Sequence, residues 1–258
     1  MLVDTHAHVY KENYENLEEV LKNAKEKNVL KIFNCAENVK TSKEIISLSK
    51  KYNDFLYAIV GIHPENVDGI NKKDLLVLEK LIKENKILGI GEIGLDYHYE
   101  GFDKEKQIKL FEKMLDLATT YNLPVIVHSR DATLDTINIL KKYNLKGIIH
   151  CFNGSLEIAR EYIKMGYLLG INGIVTFKNC KLIEVIKEIG INNIVFETDC
   201  PFLTPEPYRK YKNEPKYIYD TMKFVSDSLK IDFRELEITV LSNIKRVFNI
   251  DLWFLTYK

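Results

Sequence analysis

The sequence has little of what marks a secreted protein, a membrane protein or a protein that coats nucleic acid. Its 258 residues include four cysteines, far apart and with no Cys-x-x-Cys pair, which argues against a disulfide framework or a zinc ribbon. No apolar run approaches the roughly 18 residues of a membrane helix, and the first residues lack a basic region followed by an apolar core. The 37 basic and 37 acidic residues cancel, which argues against a uniformly cationic surface for duplex nucleic acid. We expect a cytoplasmic protein that does not span a membrane.

The apolar pattern predicts an α/β fold. Short runs rich in Val, Ile and Leu alternate with longer amphipathic stretches that carry Lys and Glu, which is typical of βα units around a parallel sheet. Eight strands are predicted, near Leu2–Asp4, Leu30–Asn34, Leu56–Val60, Ile87–Gly91, Val125–Val127, Gly147–Ile149, Leu168–Ile171 and Ile194–Phe196.

Eight such units fit a (β/α)8 TIM barrel that takes up residues 1–258 as one domain. An open doubly wound sheet accommodates a similar count, but no Gly-x-Gly-x-x-Gly turn follows the first strand. The longest irregular segment, Pro201–Pro215, directly follows the eighth predicted strand. In a barrel that position lies on the face that carries active sites.

The histidines gather at one end of the predicted strands. Five of the six lie at or just past the carboxyl end of a strand, namely His6, His8, His63, His128 and His150. Any one of them alone would more often be a structural histidine. Structural histidines would be scattered along the strands, however, so their shared position at one end favours a common site. His6 and His8 also point to the same face of extended backbone, because successive side chains of a strand alternate.

Two carboxylates end predicted strands in the same way. Glu92 ends the fourth strand between glycines, and Asp199 ends the eighth. Together with four histidines they give six candidate metal ligands: His6, His8, Glu92, His128, His150 and Asp199. A single catalytic zinc uses about three protein ligands plus water, so we expect two divalent ions, bridged by Glu92 about 3.5–4 Å apart. Mixed imidazole and carboxylate ligands accept Mg, Mn or Zn, so the metal stays open.

Several blocks in order along the chain resemble the TatD family of metal-dependent deoxyribonucleases: Asp4–His8, Gly61–Pro64, Gly91–Tyr97, Pro124–Arg130, His150–Gly154 and Glu197–Pro201. The resemblance implies a barrel related to the amidohydrolases and exonuclease-type hydrolysis of nucleic acid. It assigns His6, His8, Glu92 and Asp199 to one ion, and Glu92, His128 and His150 to the second.

The same resemblance implies substrate contacts by His63 and Arg130, and by Arg209 in the loop that ends at Pro215. The chain departs from the family at Lys210 and Tyr211, where a glycine and a basic residue are usual, so the loop shape and substrate preference are in question. His98 is not part of the family pattern, and we interpret it as an exposed loop residue.

These residues suggest a mechanism for phosphodiester hydrolysis. Asp199 is expected to act as ligand and general base, and Glu92 as the other catalytic carboxylate. Asp4 and Glu197 have the strand parity to support the metal ligands, although either fits a buried structural carboxylate equally well. Residues 208–217 carry a net charge of +3 and three tyrosines, a combination that holds single-stranded nucleic acid. Single-stranded DNA ends are therefore the expected partner.

Other functions remain compatible with the same residues. An amidohydrolase-type enzyme would use the same ions on an amide, lactone or ester of a small molecule, and a related enzyme would hydrolyse an aminoacyl ester on tRNA. A catalytically silent metal- or nucleic-acid-binding barrel is disfavoured because all six candidate ligands are present. The surface pattern indicates no dimer face, so we expect a monomer with no obligate protein partner.

Overall fold

The computed structural model describes residues 1–250 and has eight strands there, in the order that the sequence predicts. The strands are β1 (Leu2–Ala7), β2 (Val29–Cys35), β3 (Leu56–Val60), β4 (Gly89–Asp96), β5 (Val125–Arg130), β6 (Gly147–Ile149), β7 (Leu168–Ile171) and β8 (Ile194–Phe196). The predicted helix and strand order is confirmed.

Nine α-helices surround these strands within the described part of the chain. They are α1 (Leu17–Glu26), α2 (Val39–Lys51), α3 (Lys72–Glu84), α4 (Lys104–Thr120), α5 (Thr133–Leu140), α6 (Leu156–Lys164), α7 (Leu182–Ile189), α8 (Ile218–Leu229) and α9 (Phe233–Phe248). Most begin at a side chain that accepts a backbone N–H of the first turn, which is the role of an N-cap. These caps are Asn16, Asn38, Asn71, Asp103, Ser155 and Asp232.

The strands form one parallel sheet in sequential order from β1 to β8. Beyond the end of β8, the sheet curls back to β1: the backbone N–H of Asp199 donates to the carbonyl of His6 at 2.9 Å. One residue on, the N–H of His8 donates to the carbonyl of Cys200, also at 2.9 Å. The result is a nearly closed TIM barrel, as the alternating pattern predicts.

Four strands, β1, β2, β4 and β5, run further toward the carboxyl end than the sequence predicts. The predicted fourth strand ends at Gly91, but β4 continues to Asp96 and pairs with an equally extended β5 through Gly94 opposite His128. The extension depends on Gly94, whose φ is +146° and whose added Cβ would lie 1.9 Å from the carbonyl oxygen of His128. Glu92 therefore lies within a strand rather than at its end.

The core lies inside the barrel and between the barrel and its helices. Strand residues are buried on both faces, as in parallel sheets covered by helices. Large fully buried side chains include Phe33, Phe111, Tyr162 and Phe196. None of the helices in residues 1–250 is long and apolar enough to cross a membrane.

Candidate metal centre

The centre begins at the end of β1. His6 and His8 alternate with Ala7 along the strand, and their Nε2 atoms lie 3.1 Å apart with both rings buried. Nδ1 of His8 lies 3.0 Å from the carbonyl oxygen of Cys35 and donates to it. Because the proton then sits on Nδ1, the Nε2 lone pair of a neutral His8 faces the centre, which is the tautomer that a metal ligand requires.

Asp199 is brought to these imidazoles by the closure between β8 and β1. Its Oδ1 lies 3.5 Å from Nε2 of His6 and 3.6 Å from Nε2 of His8. The residue has a φ of +56°, a left-handed conformation that Asp tolerates better than most residues. A backbone hydrogen bond between Asp199 and β1 therefore places the Asp199 carboxylate beside His6 and His8.

Glu92 faces this group from β4 on the other side of the barrel. Its Oε2 lies 3.3 Å from Nε2 of His6 and 3.4 Å from Nε2 of His8. Nε2 of His6 and Nε2 of His8 thus each lie within 3.6 Å of one oxygen of Glu92 and one oxygen of Asp199. Atoms about 2.1 Å from a common ion at tetrahedral angles lie about 3.4 Å apart, so these side chains fit a divalent cation.

The second oxygen of Glu92 faces a different set of histidines. Oε1 lies 2.8 Å from Nδ1 of His128, 3.6 Å from Nε2 of His63 and 3.8 Å from Nε2 of His150. His150 also stacks on His6, with ring centroids 3.7 Å apart, and its Nε2 lies 3.7 Å from Oδ1 of Asp199. His150 therefore lies between the two sets rather than within one.

The carboxylates of the centre are ionised. Burial opposes this, but the imidazoles of His6, His63 and His150 hold the pKa of Glu92 well below its usual value. The pKa of Asp199 is also lowered: burial raises it, and the neighbouring His150 and His8 more than compensate. Two buried negative charges in one small volume call for cationic partners.

Part of that positive charge comes from histidine protons. Burial opposes protonation of His128, yet hydrogen bonds to Asp96 and Glu92 raise its pKa to about 9. Burial likewise opposes protonation of His150, while the charges of Glu197, Asp199 and Glu92 raise its pKa to about 10. A divalent cation binds neutral imidazole and would displace such protons.

His63 differs from its neighbours. Burial lowers its pKa to about 3, so the ring is neutral. Its Nδ1 accepts the backbone N–H of Glu65 at 3.3 Å, at the start of a 3-10 helix. In that tautomer Nε2 carries the hydrogen, so His63 offers a donor at this edge of the centre.

A layer of buried side chains supports the histidines. Oε1 of Glu197 lies 2.8 Å from Nδ1 of His150 and accepts the N–H of Cys151 at 2.7 Å. Asp4 accepts from the N–H and the hydroxyl of Thr198, which ties β1 to the end of β8. Glu197 therefore touches a candidate ligand directly, whereas Asp4 acts through the backbone.

The expected substrate residues lie at different distances from the centre. Arg130 is exposed at the end of β5, with its guanidinium 5.2 Å from the ring centroid of Tyr99. Arg209 donates to the carbonyl of Thr204 and lies over the ring of Phe177, 4.0 Å from its centroid, and neither contact is with a candidate ligand. His98 is exposed and pairs with Asp131 at 2.8 Å, as a loop residue would.

Much of the basic segment 208–217 is bound to the protein itself. Lys212 donates to the carbonyl of Asn13 and lies over the ring of Tyr14. Lys216 pairs with Glu214 at 3.0 Å. With Arg209, which donates to the carbonyl of Thr204, three of the four cations are thus engaged by the fold, and less of the segment faces solvent as free charge than its composition suggests.

Two buried polar side chains that follow or end strands, Asp96 and Asn172, have no role predicted from the sequence, and of these Asp96 contacts a candidate ligand. Asp96, at the end of β4, lies 2.9 Å from Nε2 of His128 and accepts the N–H of His98. Asn172 follows β7, is buried, and its Nδ2 has no hydrogen-bond partner among the described residues. The same sequence feature could have identified both residues, because each is a polar side chain at or just after the end of a barrel strand.

The chain is similar to known proteins over nearly its whole length. The model of a family described as TatD related DNase matches residues 3–249. The chain is 41% identical over 256 residues to the uncharacterized metal-dependent hydrolase YabD of Bacillus subtilis, covering 97% of this chain and 100% of the relative. It is 32% identical over 259 residues to human deoxyribonuclease TATDN3, covering 95% and 93%.

The barrel is also similar to a solved structure. The Escherichia coli protein YjjV, described as a TatD homologue, superposes with a TM-score of 0.91 at 26% identity, covering 97% of this chain and 98% of that one. The similarity therefore extends over nearly all of both chains, including the strand ends that carry the candidate ligands.

Proposed function

This chain belongs to the TatD-related DNase family, and from that premise we propose that it hydrolyses the phosphodiester bonds of single-stranded DNA from its ends, with two divalent ions. Metal-dependent hydrolysis is the activity that its relatives' names share. The finer statement about DNA is supported by the name of the human relative, a deoxyribonuclease.

The observation that carries the proposal is the placement of Glu92 between two groups of imidazoles. One carboxylate oxygen faces His6 and His8, and the other faces His128 and His63 and lies 3.8 Å from Nε2 of His150. A carboxylate that presents each oxygen to a different ligand group is the arrangement of a bridging residue in two-metal hydrolytic sites. We assign His6, His8, Glu92 and Asp199 to one ion, and Glu92, His128 and His150 to the other.

Each residue then has a role in the reaction. When bound, the ions supply a water of lowered pKa and offset charge on the phosphate. Asp199 is ionised and 8% exposed, so it holds the attacking water from the open side of the barrel and takes its proton. His63, as a neutral donor, hydrogen-bonds a phosphate or leaving oxygen.

The arginines bind the phosphate backbone of the substrate. Arg130 is exposed at the end of β5, beside Asp96 of β4, and neutralises charge that builds on the scissile phosphate. Arg209, held on Phe177 at the outer edge of the same face, contacts a phosphate farther along the strand. A guanidinium suits this task because its donors match two phosphate oxygens at once.

The depth of the centre supports single-stranded ends as the substrate. The six proposed ligands lie in or just after five strands around the barrel axis, and five of them are at most 8% exposed. A scissile phosphate has to enter this recess, which a flexible end does more readily than a duplex. The four free cysteines support a reducing, cytoplasmic location, and we propose one domain that acts as a monomer.

The proposal is tested with metal-stripped protein, end-labelled single-stranded DNA and added Mg²⁺ or Mn²⁺. We expect stepwise shortening by the wild type and none by Asp199→Asn. Asp131→Asn is the matched control, because Asp131 is exposed, pairs with His98 and tolerates the same left-handed backbone as asparagine. Folded, metal-loaded wild type that leaves all DNA intact would contradict the proposal and favour a small-molecule or aminoacyl-ester hydrolase.

A further inference from the structure

An exposed phenylalanine ring lies beside the proposed metal ligands. Phe202 is 55% exposed, follows Asp199 by three residues, and its ring centroid lies 6.4 Å from that of His8. An exposed apolar ring forgoes the stabilisation that burial would give it. The position of this ring next to the centre indicates a function other than packing.

The backbone around Phe202 is fixed, so the exposure of the ring follows from the fold. Its N–H donates to the carbonyl of Asp199 at 2.9 Å. Its own carbonyl accepts from Nδ2 of Asn213, a fully buried side chain that also donates to the carbonyl of Thr198 at 2.8 Å. The segment from Thr198 to Phe202 is therefore held as one unit, and the ring is held out from it.

Phe202 and Arg130 lie on opposite sides of the barrel mouth. Phe202 follows β8, next to β1, whereas Arg130 ends β5, next to β4, and these strand pairs are across from each other in the sequential barrel. The centre lies between an apolar ring on one side and a cation on the other. A nucleotide has a matching arrangement: its base has an apolar face that suits the phenylalanine ring, and its phosphate is an anion that suits the arginine. One sugar joins the two.

We propose that Phe202 stacks on the base next to the scissile phosphate and so selects an unpaired end. This inference rests on the proposed function. A phenylalanine offers only a π face, so the contact accepts every base. Within a duplex a base is stacked on its neighbours, and at a paired end, where one face is open, it is still held by its partner strand. The ring can therefore stack on the base inside the recess only where the strand is unpaired.

The test compares single-stranded DNA that ends in a normal nucleotide with the same strand ending in an abasic nucleotide. Base–aromatic stacking changes affinity by about 5- to 150-fold per base when the ring is removed. We expect Phe202→Ala to lower kcat/KM by a factor in that range on the normal end. On the abasic end, Phe202→Ala and wild type should be equal, because the stacking partner is already gone.

Three further variants separate stacking from other effects. Phe202→Trp should retain activity, and Phe202→Leu should lose it, because leucine keeps the apolar volume without the ring. Phe224→Ala is the matched control, since Phe224 is an exposed phenylalanine on α8 away from the centre. A second readout is direct: 2-aminopurine at the DNA end should be quenched on binding to Asp199→Asn, and much less in the Asp199→Asn, Phe202→Ala double variant.

The outcomes distinguish this inference from the function on which it rests. If wild type cleaves no DNA, the proposed function fails and the stacking role fails with it. If wild type cleaves DNA and Phe202→Ala cleaves it equally well, only the stacking role is overturned. Full activity of Phe202→Leu, or equal losses on normal and abasic ends, also overturns it, because neither result requires a ring on a base.

Discussion

Replacing Gly170 with alanine should damage the metal centre without touching any proposed ligand. Gly170 lies in β7, and a Cβ added there would lie 2.3 Å from Oε2, 2.7 Å from Cδ and 2.9 Å from Oε1 of Glu197. Real Cβ atoms essentially never approach closer than 3.0 Å. Oε2 of Glu197 therefore has to move by about 0.7 Å and the carboxylate carbon by about 0.3 Å.

That movement has two measurable consequences. Overpacking a fully buried site costs about 1–3 kcal/mol of unfolding free energy, partly offset by the ~0.4–1 kcal/mol that a Gly→Ala change gains through the unfolded chain. Glu197 also contacts His150, and loss of such a supporting contact lowers metal affinity about 10- to 100-fold. Urea unfolding measures the first effect, and calorimetric titration of metal-stripped protein with Mn²⁺ measures the second.

Two comparisons make the Gly170 prediction specific. Gly69→Ala is the control, because a Cβ there meets nothing within 4 Å, and metal affinity should not change. In a Glu197→Ala background, Gly170→Ala should add little further loss, since the crowded carboxylate is gone. Wild-type metal affinity in Gly170→Ala, or full additivity of the two changes, would refute the reasoning.

Two further predictions concern protons at the centre. Asp96→Asn removes one of the two carboxylates that hold His128, so the pKa of His128 should fall from about 9. Metal affinity should drop about 10- to 100-fold. An unchanged NMR titration of the His128 ring would contradict this prediction. Because carboxylates raise the pKa values of His128 and His150 above neutral, metal binding at pH 7 should release at least one proton. Affinity should then rise with pH, by up to about tenfold per unit for each proton displaced, until these pKa values are passed; equal affinities at pH 6 and pH 9, and no dependence of the calorimetric heat on buffer ionisation, would contradict it.

The sequence predicts the barrel and the members of the centre because both depend on local pattern. Alternation of apolar runs with amphipathic stretches is visible residue by residue, and so is a polar side chain where a strand ends. The spacing of His6 and His8 is enough to put them on one face. Their contact with Asp199 then follows from the barrel, where first and last strands are neighbours.

What the sequence does not show depends on contacts between distant residues. The length of β4 is set by Gly94 against the backbone of His128, so the apolar run alone ends the strand too early. Lys212 looks like a free cation in its own segment, yet its partner is the carbonyl of Asn13. Asp96 is inconspicuous until β5 brings His128 to it.

The junction between β8 and β1 has a consequence for the protein during its synthesis on the ribosome. His6 and its neighbour Asp199 are 193 residues apart in the sequence, and they are joined by the backbone hydrogen bond that closes the barrel. A nascent chain that ends before Asp199 lacks one of the four ligands proposed for the ion at His6 and His8. If the proposed function holds, a growing chain therefore gains activity only after β8 and Asp199 have been made and have closed onto β1.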